Sequence, residues 1–226
     1  IAAFVLYMAW IRPSAAATAA AGTPSLRFAL ATHQAGHIVA AFIDDPNRLR
    51  KVRLHGPCAT RASLVPLGTQ QSMRTETTIR LAGMAAEEVF TGESSSFAAD
   101  DLARSTELGA VMVGSLGMGS SLVSLTSGRM RRFRFMKRTL EDARTRKDLE
   151  AVLRESKRES MRLMLENRHL IIAIRDELLR REQLARADIQ VLFDEARSTR
   201  ENADEVLVDL RTAGDRNRPV VKVAGS

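Results

Sequence analysis

The chain has 226 residues, 45% of them hydrophobic and 27% charged, enough for one ordinary domain with a core of its own. Aromatic residues make up only 4%, so that core must be aliphatic, and the single cysteine, Cys58, excludes an internal disulfide and fits a reducing compartment. A net charge of +7 points to an anionic partner, but the cations are interspersed with carboxylates through the helical segments, which argues against a nucleic-acid-binding protein.

Residues 1–13 begin with an uncharged apolar run, Ile1 to Ile11, closed by Arg12 and Pro13. A bilayer span needs about 20 such residues, so the run reads as the end of a truncated membrane anchor in preference to a signal-peptide core or a buried helix. Trp10 sits at its polar end and Arg12 follows, as an interfacial aromatic and a cytoplasmic-side charge would. Residues 14–24 are small, uncharged and low in complexity, and read as a linker.

Residues 25–197 form the expected domain. Ser25 to Phe42 carries apolar or small residues at Leu26, Ala29, Leu30, Ala35, Gly36, Val39 and Ala40, close to helical spacing, and Pro46 ends the run. Lys51 to Leu54 alternates as a short strand, with Ala62 to Leu67 as its expected partner across a Gly-Pro turn. Ser72 to Phe90 is a second helix that Gly92 can stop. A serine loop, Ser94 to Ser96, leads to a third, Asp101 to Leu116. From Thr139 to Arg197 the pattern is charged and helical: Val152, Leu153, Met161, Leu165, Leu170, Ile174, Leu178 and Leu179 predict two packed helices, and Asp188 to Ala196 a third. Residues 198–226 read as a flexible polar tail. The fold class is mainly α, with a small β element and a C-terminal helical bundle.

The chemistry is concentrated in His33-Gln34-Ala35-Gly36-His37. Residues i and i+4 of a helix share a face, so two imidazoles can reach one ion, which suits zinc. Histidines on an apolar helix more often satisfy backbone groups in a core, so a third ligand has to be found. A carboxylate would leave the fourth zinc position open. Asp101 is a candidate near a helix start, with Asp100 better placed as the cap; Glu87 and Glu88 are its rivals.

Four stretches in order resemble the peptidase domain of the FtsH-type membrane-anchored, ATP-dependent zinc metalloproteases. They are Ala31 to His37, Leu81 to Gly92, Ala99 to Thr106 (followed by Met112-Val113 and Gly117-Met118-Gly119), and Glu177 to Leu184. The resemblance runs from Phe28 to Ala196. It implies a Zn2+ cofactor held by His33, His37 and Asp101, with Glu87 orienting a ligand from behind. It implies a polypeptide substrate lying extended along the region that begins at Lys51, where Val52 and Leu54 are the candidate contacts. It also implies a homo-oligomer, a hexamer in this family, a peptidase domain on the cytoplasmic side of a membrane, and an ATPase module. No P-loop precedes the histidines, so that module is expected in trans or in a missing N-terminal part.

Two departures carry weight. The family has Arg where this chain has Met84, and Glu, the general base, where it has Gln34. An amide cannot take a proton at neutral pH, although it can still hydrogen-bond to a water. The expected consequence is a metal-loaded but nearly inactive site; the alternative is a natural pseudopeptidase that binds polypeptides or subunits. Separately, Arg129 to Arg138 interleaves basic and aromatic residues, a pattern suited to anionic lipid or, less well, to nucleic acid.

Overall fold

The computed structural model describes residues 24–55, 68–126, 132–196 and 198. The anchor-like segment, most of the linker, Cys58, the expected strand Ala62 to Leu67 and the tail lie outside them, apart from Ser198. Seven helices carry the described chain: α1 (Pro24–Asp44), α2 (Gln70–Thr91), α3 (Ala98–Gly114), α4 (Arg132–Glu141), α5 (Ala143–Glu166), α6 (Arg168–Arg181) and α7 (186–196). Two short strands, β1 (Lys51–Arg53) and β2 (Gln183–Ala185), pair antiparallel, with Val52 opposite Leu184.

The main core lies where α1 meets α2, α5 and α6. Ile38, Val39, Ala82, Ala86, Met164, Ile171, Ile174, Leu178 and Leu184 are buried there, an aliphatic set as the composition requires. Two close approaches decide how α1 sits on α2. A Cβ on Gly36 would stand 2.5 Å from the Ala82 carbonyl oxygen and 2.6 Å from the Ala86 Cβ. The crossing therefore depends on a bare backbone at position 36. On the far side, α5 presents Val152, Ser156, Ser160 and Met164 as a narrow buried stripe, and the Ser160 hydroxyl donates to the Thr78 carbonyl of α2 at 2.7 Å. Leu165, expected in this packing, is instead half exposed; the inward position is Met164, one residue earlier.

A second cluster, Met73, Leu108, Met112, Val113, Phe135, Leu149 and Val152, lies beneath α3, α4 and α5. Here the chain departs from expectation, because the helical region starts at Arg132 rather than Thr139. Phe135 and Thr139 supply its buried face. The other correction is at Gln183 to Ala185, expected to be helical and found as a strand. The α6 helix stops at Arg181 and Glu182 takes a left-handed conformation, φ 61°. The Glu182 carbonyl then accepts from the Leu54 amide at 2.8 Å, and Arg186 N–H donates to the Arg50 carbonyl at 3.0 Å. Burial of Leu184 against β1 and these backbone bonds outweigh the local preference for another turn of helix.

Candidate metal centre

His33 and His37 lie one turn apart on α1 and are both buried. Opposite them, α2 runs antiparallel and presents Ile79, Gly83 and Glu87, spaced four residues apart, as one stripe. Each member of that stripe has a separate task. The Ile79 carbonyl accepts from His37 Nδ1 at 2.9 Å. Glu87 Oε1 accepts from His33 Nδ1 at 2.6 Å. Between them, a Cβ on Gly83 would stand 2.6 Å from His33 Cε1 and from His37 Nε2, so the missing side chain makes room for both rings.

These contacts fix the tautomers. A carbonyl and a carboxylate can only accept, so each histidine when neutral carries its proton on Nδ1 and turns a bare Nε2 inward, and a ring that donates to Asp101 through Nε2 is the protonated imidazolium. The two Nε2 atoms are 3.1 Å apart. Asp101 Oδ2 completes the set at 3.0 Å from His33 Nε2 and 3.0 Å from His37 Nε2. Three atoms able to ligate a metal thus form a nearly equilateral triangle. A face of a tetrahedron around zinc has edges of roughly 3.3 Å when ligand distances are about 2.0–2.1 Å, so the donor set and spacing fit that ion. Among the described residues, His33, His37 and Asp101 are the group of His, Cys, Asp and Glu side chains arranged to hold a metal.

The electrostatics agree. Burial opposes a charge on His33, but its hydrogen bonds to Asp101 and Glu87 and their negative charges prevail, and its pKa is pushed up to about 9. Burial also resists charge on Asp101, yet the His37 charge and the hydrogen bonds from both imidazoles hold its carboxyl well below the usual range. The pocket therefore favours a cation at its centre, and without a metal a proton takes that role.

Asp101 reaches the site because of how α3 begins. The helix starts at Ala98, after Phe97, so neither aspartate is the cap that Asp100 was expected to be. The first helical amides, Ala98 and Ala99, donate instead to the carbonyls of Ser95 and Ser96, and Asp100 pairs outward with Arg104 at 2.7 Å. Asp101 is left on the inner face. The rival Glu88 accepts from Lys157 of α5 at 2.7 Å and lies off the site. Glu87 goes further than expected: its Oε2 also accepts from the Ser95 amide, tying His33 to the loop that launches α3.

Gln34 is buried beside the site. Val52 and Leu54 are also fully buried: Val52 belongs to the main core, and Leu54 packs with Leu30, Ala31, Phe97 and Leu179. Their side chains support α1 from behind, and a polypeptide could meet this strand only through its backbone or through the exposed Lys51 and Arg53. His55 and His169 are exposed and lie outside the site. Sequence reasoning missed Gly83 and the Ile79 carbonyl. Gly83 had a legible signal, a glycine in mid-helix despite a propensity penalty of about 1 kcal/mol; a backbone carbonyl has none.

The sequence pattern of the family described as Peptidase family M41 matches residues 23–192. The chain is 27% identical over 173 residues to an ATP-dependent zinc metalloprotease FtsH 2 of Thermoanaerobacter sp., covering 73% of this chain and 32% of that protein. It is 28% identical over 193 residues to an ATP-dependent zinc metalloprotease FtsH of Marinobacter nauticus, with 78% and 30% covered. A third relative, an ATP-dependent zinc metalloprotease FtsH of Methylococcus capsulatus, is 35% identical over 116 residues, 47% of this chain and 18% of that protein. The chain thus spans less than a third of the length of these relatives. With the family match running from the start of α1 into the last described helix, the chain belongs to peptidase family M41 and carries the peptidase domain of the FtsH-type zinc metalloproteases.

Proposed function

We propose that His33, His37 and Asp101 hold one zinc ion, that Glu87 orients His33, and that Gln34 occupies the position of the general base. The observation that carries this reading is the triangle of His33 Nε2, His37 Nε2 and Asp101 Oδ2, with edges of 3.0–3.1 Å. A zinc ion there supplies Lewis acidity for hydrolysis of a peptide bond. The surrounding residues do the rest. With the ion in place, Ile79 and Glu87 would hold the one remaining proton of each ring on Nδ1, leaving both Nε2 atoms to the ion, and Asp101 would contribute the charge. Gln34 can hydrogen-bond to a water or a substrate but cannot remove a proton.

In this reading the form in hand binds zinc and polypeptide and turns over slowly. General-base catalysis is worth about 10²–10⁴ in rate, which is the expected deficit. The substrate is an unfolded or extended polypeptide, and the assembly is a homo-oligomeric ring, hexameric by analogy, supplied by an ATPase module in trans or from a preceding part of the protein. The apolar residues 1–13 would associate it with a membrane, with the peptidase domain on the cytoplasmic side, residues 14–24 as linker, residues 25–197 as the catalytic unit and 198–226 as tail.

Gln34 itself favours a second reading, a pseudopeptidase that holds polypeptides or subunits without cleaving them. The Gln34→Glu variant separates the two. Under the peptidase reading it keeps one zinc per chain and cleaves an unfolded protein about 10²–10⁴ times faster than the Gln34 form. Zinc binding with no cleavage by that variant selects the binding module. If metal analysis finds no zinc and His33→Ala alters only stability, both readings fall.

A further inference from the structure

Residues 132–147, which form α4 and the start of α5, carry seven cations against two carboxylates. That is five of the net seven positive charges of the whole chain, concentrated in 16 residues. Some of these cations are engaged: Arg132 pairs with Glu107, Lys137 lies 3.6 Å from Glu141, and Arg144 donates to the Ser120 carbonyl at 2.7 Å. Arg134, Arg138, Arg146 and Lys147 are exposed and have no ion-pair partner among the described residues.

The α4 helix is two-sided. Phe135 and Thr139 face the second core cluster. Phe133 and Leu140, seven residues apart and hence on one line of the outer face, are 50% and 42% exposed. The loop after α3 lies at the same end of the molecule. The Leu125 amide donates to the Gly114 carbonyl at 2.7 Å, beside the point where Phe135 and Thr139 meet α3. Ser120 is hooked to Asp148 of α5 through its amide and hydroxyl, both at 2.7 Å. Between these anchors Leu122 and Val123 project, 91% and 68% exposed.

We propose that this end of the domain, α4 with the start of α5 and the 115–126 loop, docks on an anionic lipid bilayer. Phe133, Leu140, Leu122 and Val123 would enter the headgroup boundary, with Arg134, Arg138, Arg146 and Lys147 at the lipid phosphates. Charge complementarity selects an anionic partner, and the apolar residues select lipid over nucleic acid. Bases are held by stacking on aromatic faces, and three of the four exposed apolar side chains are aliphatic, which suit acyl chains. The inference is independent of the zinc site.

The test uses the full chain with Trp10→Phe and Phe133→Trp together, which leaves a single tryptophan on α4. Mixing with vesicles containing about one-third phosphatidylglycerol should shift its emission to the blue, and pure phosphatidylcholine vesicles should not. The shift should disappear at roughly 0.5 M salt. Adding Arg134→Glu and Arg138→Glu should raise the anionic-lipid concentration needed for half of the α4 tryptophan shift at least about tenfold, and Arg146→Glu with Lys147→Glu should raise it comparably from a different helix, whatever residues 1–13 contribute to binding. Helical content should be unchanged in every variant. The proposal is overturned by no shift, by an equal shift with neutral vesicles, or by a shift that grows with protein concentration without vesicles. Tighter binding to single-stranded RNA than to anionic vesicles, through the same arginines, also overturns it.

Discussion

The two ends of this domain treat polar groups in opposite ways. Around α1 and α2 they are buried and held at both ends: His33 between Glu87 and Asp101, His37 between the Ile79 carbonyl and Asp101, and Glu87 between His33 and the Ser95 amide. Around α4 they are left in water, several without a partner among the described residues, next to exposed leucine and valine. Burying an ionisable group without partners costs several kcal/mol, so the metal end needs a complete network and tolerates little change. The α4 end faces no such demand, and its residues are free to serve a surface.

Two mid-helix glycines put the difference to the sharpest test. Gly83→Ala should be the most damaging change, because the new Cβ would lie 2.6 Å from both imidazoles, which are fixed by hydrogen bonds and cannot retreat. Zinc stoichiometry should fall toward zero, and urea unfolding should show a loss of about 1–3 kcal/mol from overpacking. Gly109→Ala, at the other end, meets only Leu149 Cδ1 at 2.6 Å, the tip of a rotatable side chain. Helix propensity gains about 1 kcal/mol there, so the net change should be under 1 kcal/mol in size. Equal damage from both substitutions would erase the distinction between the ends.

Glu87→Gln keeps the shape and removes the charge behind His33. Zinc affinity should fall about 10–100-fold by competition with a chelator, with the fold retained. The pH dependence of zinc binding follows from His33, whose pKa in the metal-free protein is raised from 6.5 to about 9. Because the folded value is the higher, the protonated imidazole stabilises the metal-free protein fully below pH 6.5, and that contribution is lost as pH rises through about 9. Zinc needs the neutral ring, so calorimetry between pH 6 and 8 should show about one proton released per zinc and affinity rising up to tenfold per pH unit. A flat profile would mean that His33 is not a ligand.

The smallest effect is expected at Glu182→Gly. Relief of a left-handed backbone, worth about 1 kcal/mol, should nearly offset loss of the Arg27–Glu182 ion pair on the surface, leaving stability within about 1 kcal/mol of the parent.

Much of the helical architecture was legible because burial on a helix repeats with a fixed period, as at Val152, Leu170, Ile174 and Leu178. The misplaced pieces were those whose state depends on distant chain. Gln183 to Ala185 carries no local sign of being a strand; β1, about 130 residues earlier in the chain, makes it one. The start of α4 was missed because its four basic residues obscured the burial of Phe135 and Thr139. Hydrophobicity alone points to Leu165 as an inward residue, whereas helix phase favours Met164.

At the site, the sequence by itself determined that two histidines share one helical face, that carboxylates are available to join them, and that the residue after the first histidine is an amide. Periodicity and side-chain chemistry suffice for that much. Only the tertiary structure decided which carboxylate closes the triangle, because Asp101, Glu87 and Glu88 differ in the helix each one faces rather than in type. The antiparallel crossing of α1 on α2, made by Gly36 and Gly83, sets Glu87 behind His33 and the Ile79 carbonyl behind His37. Lys157 draws Glu88 away, and the start of α3 at Ala98 turns Asp101 inward. A metal site is a meeting of atoms from several elements, and sequence spacing reports only those that lie on the same one.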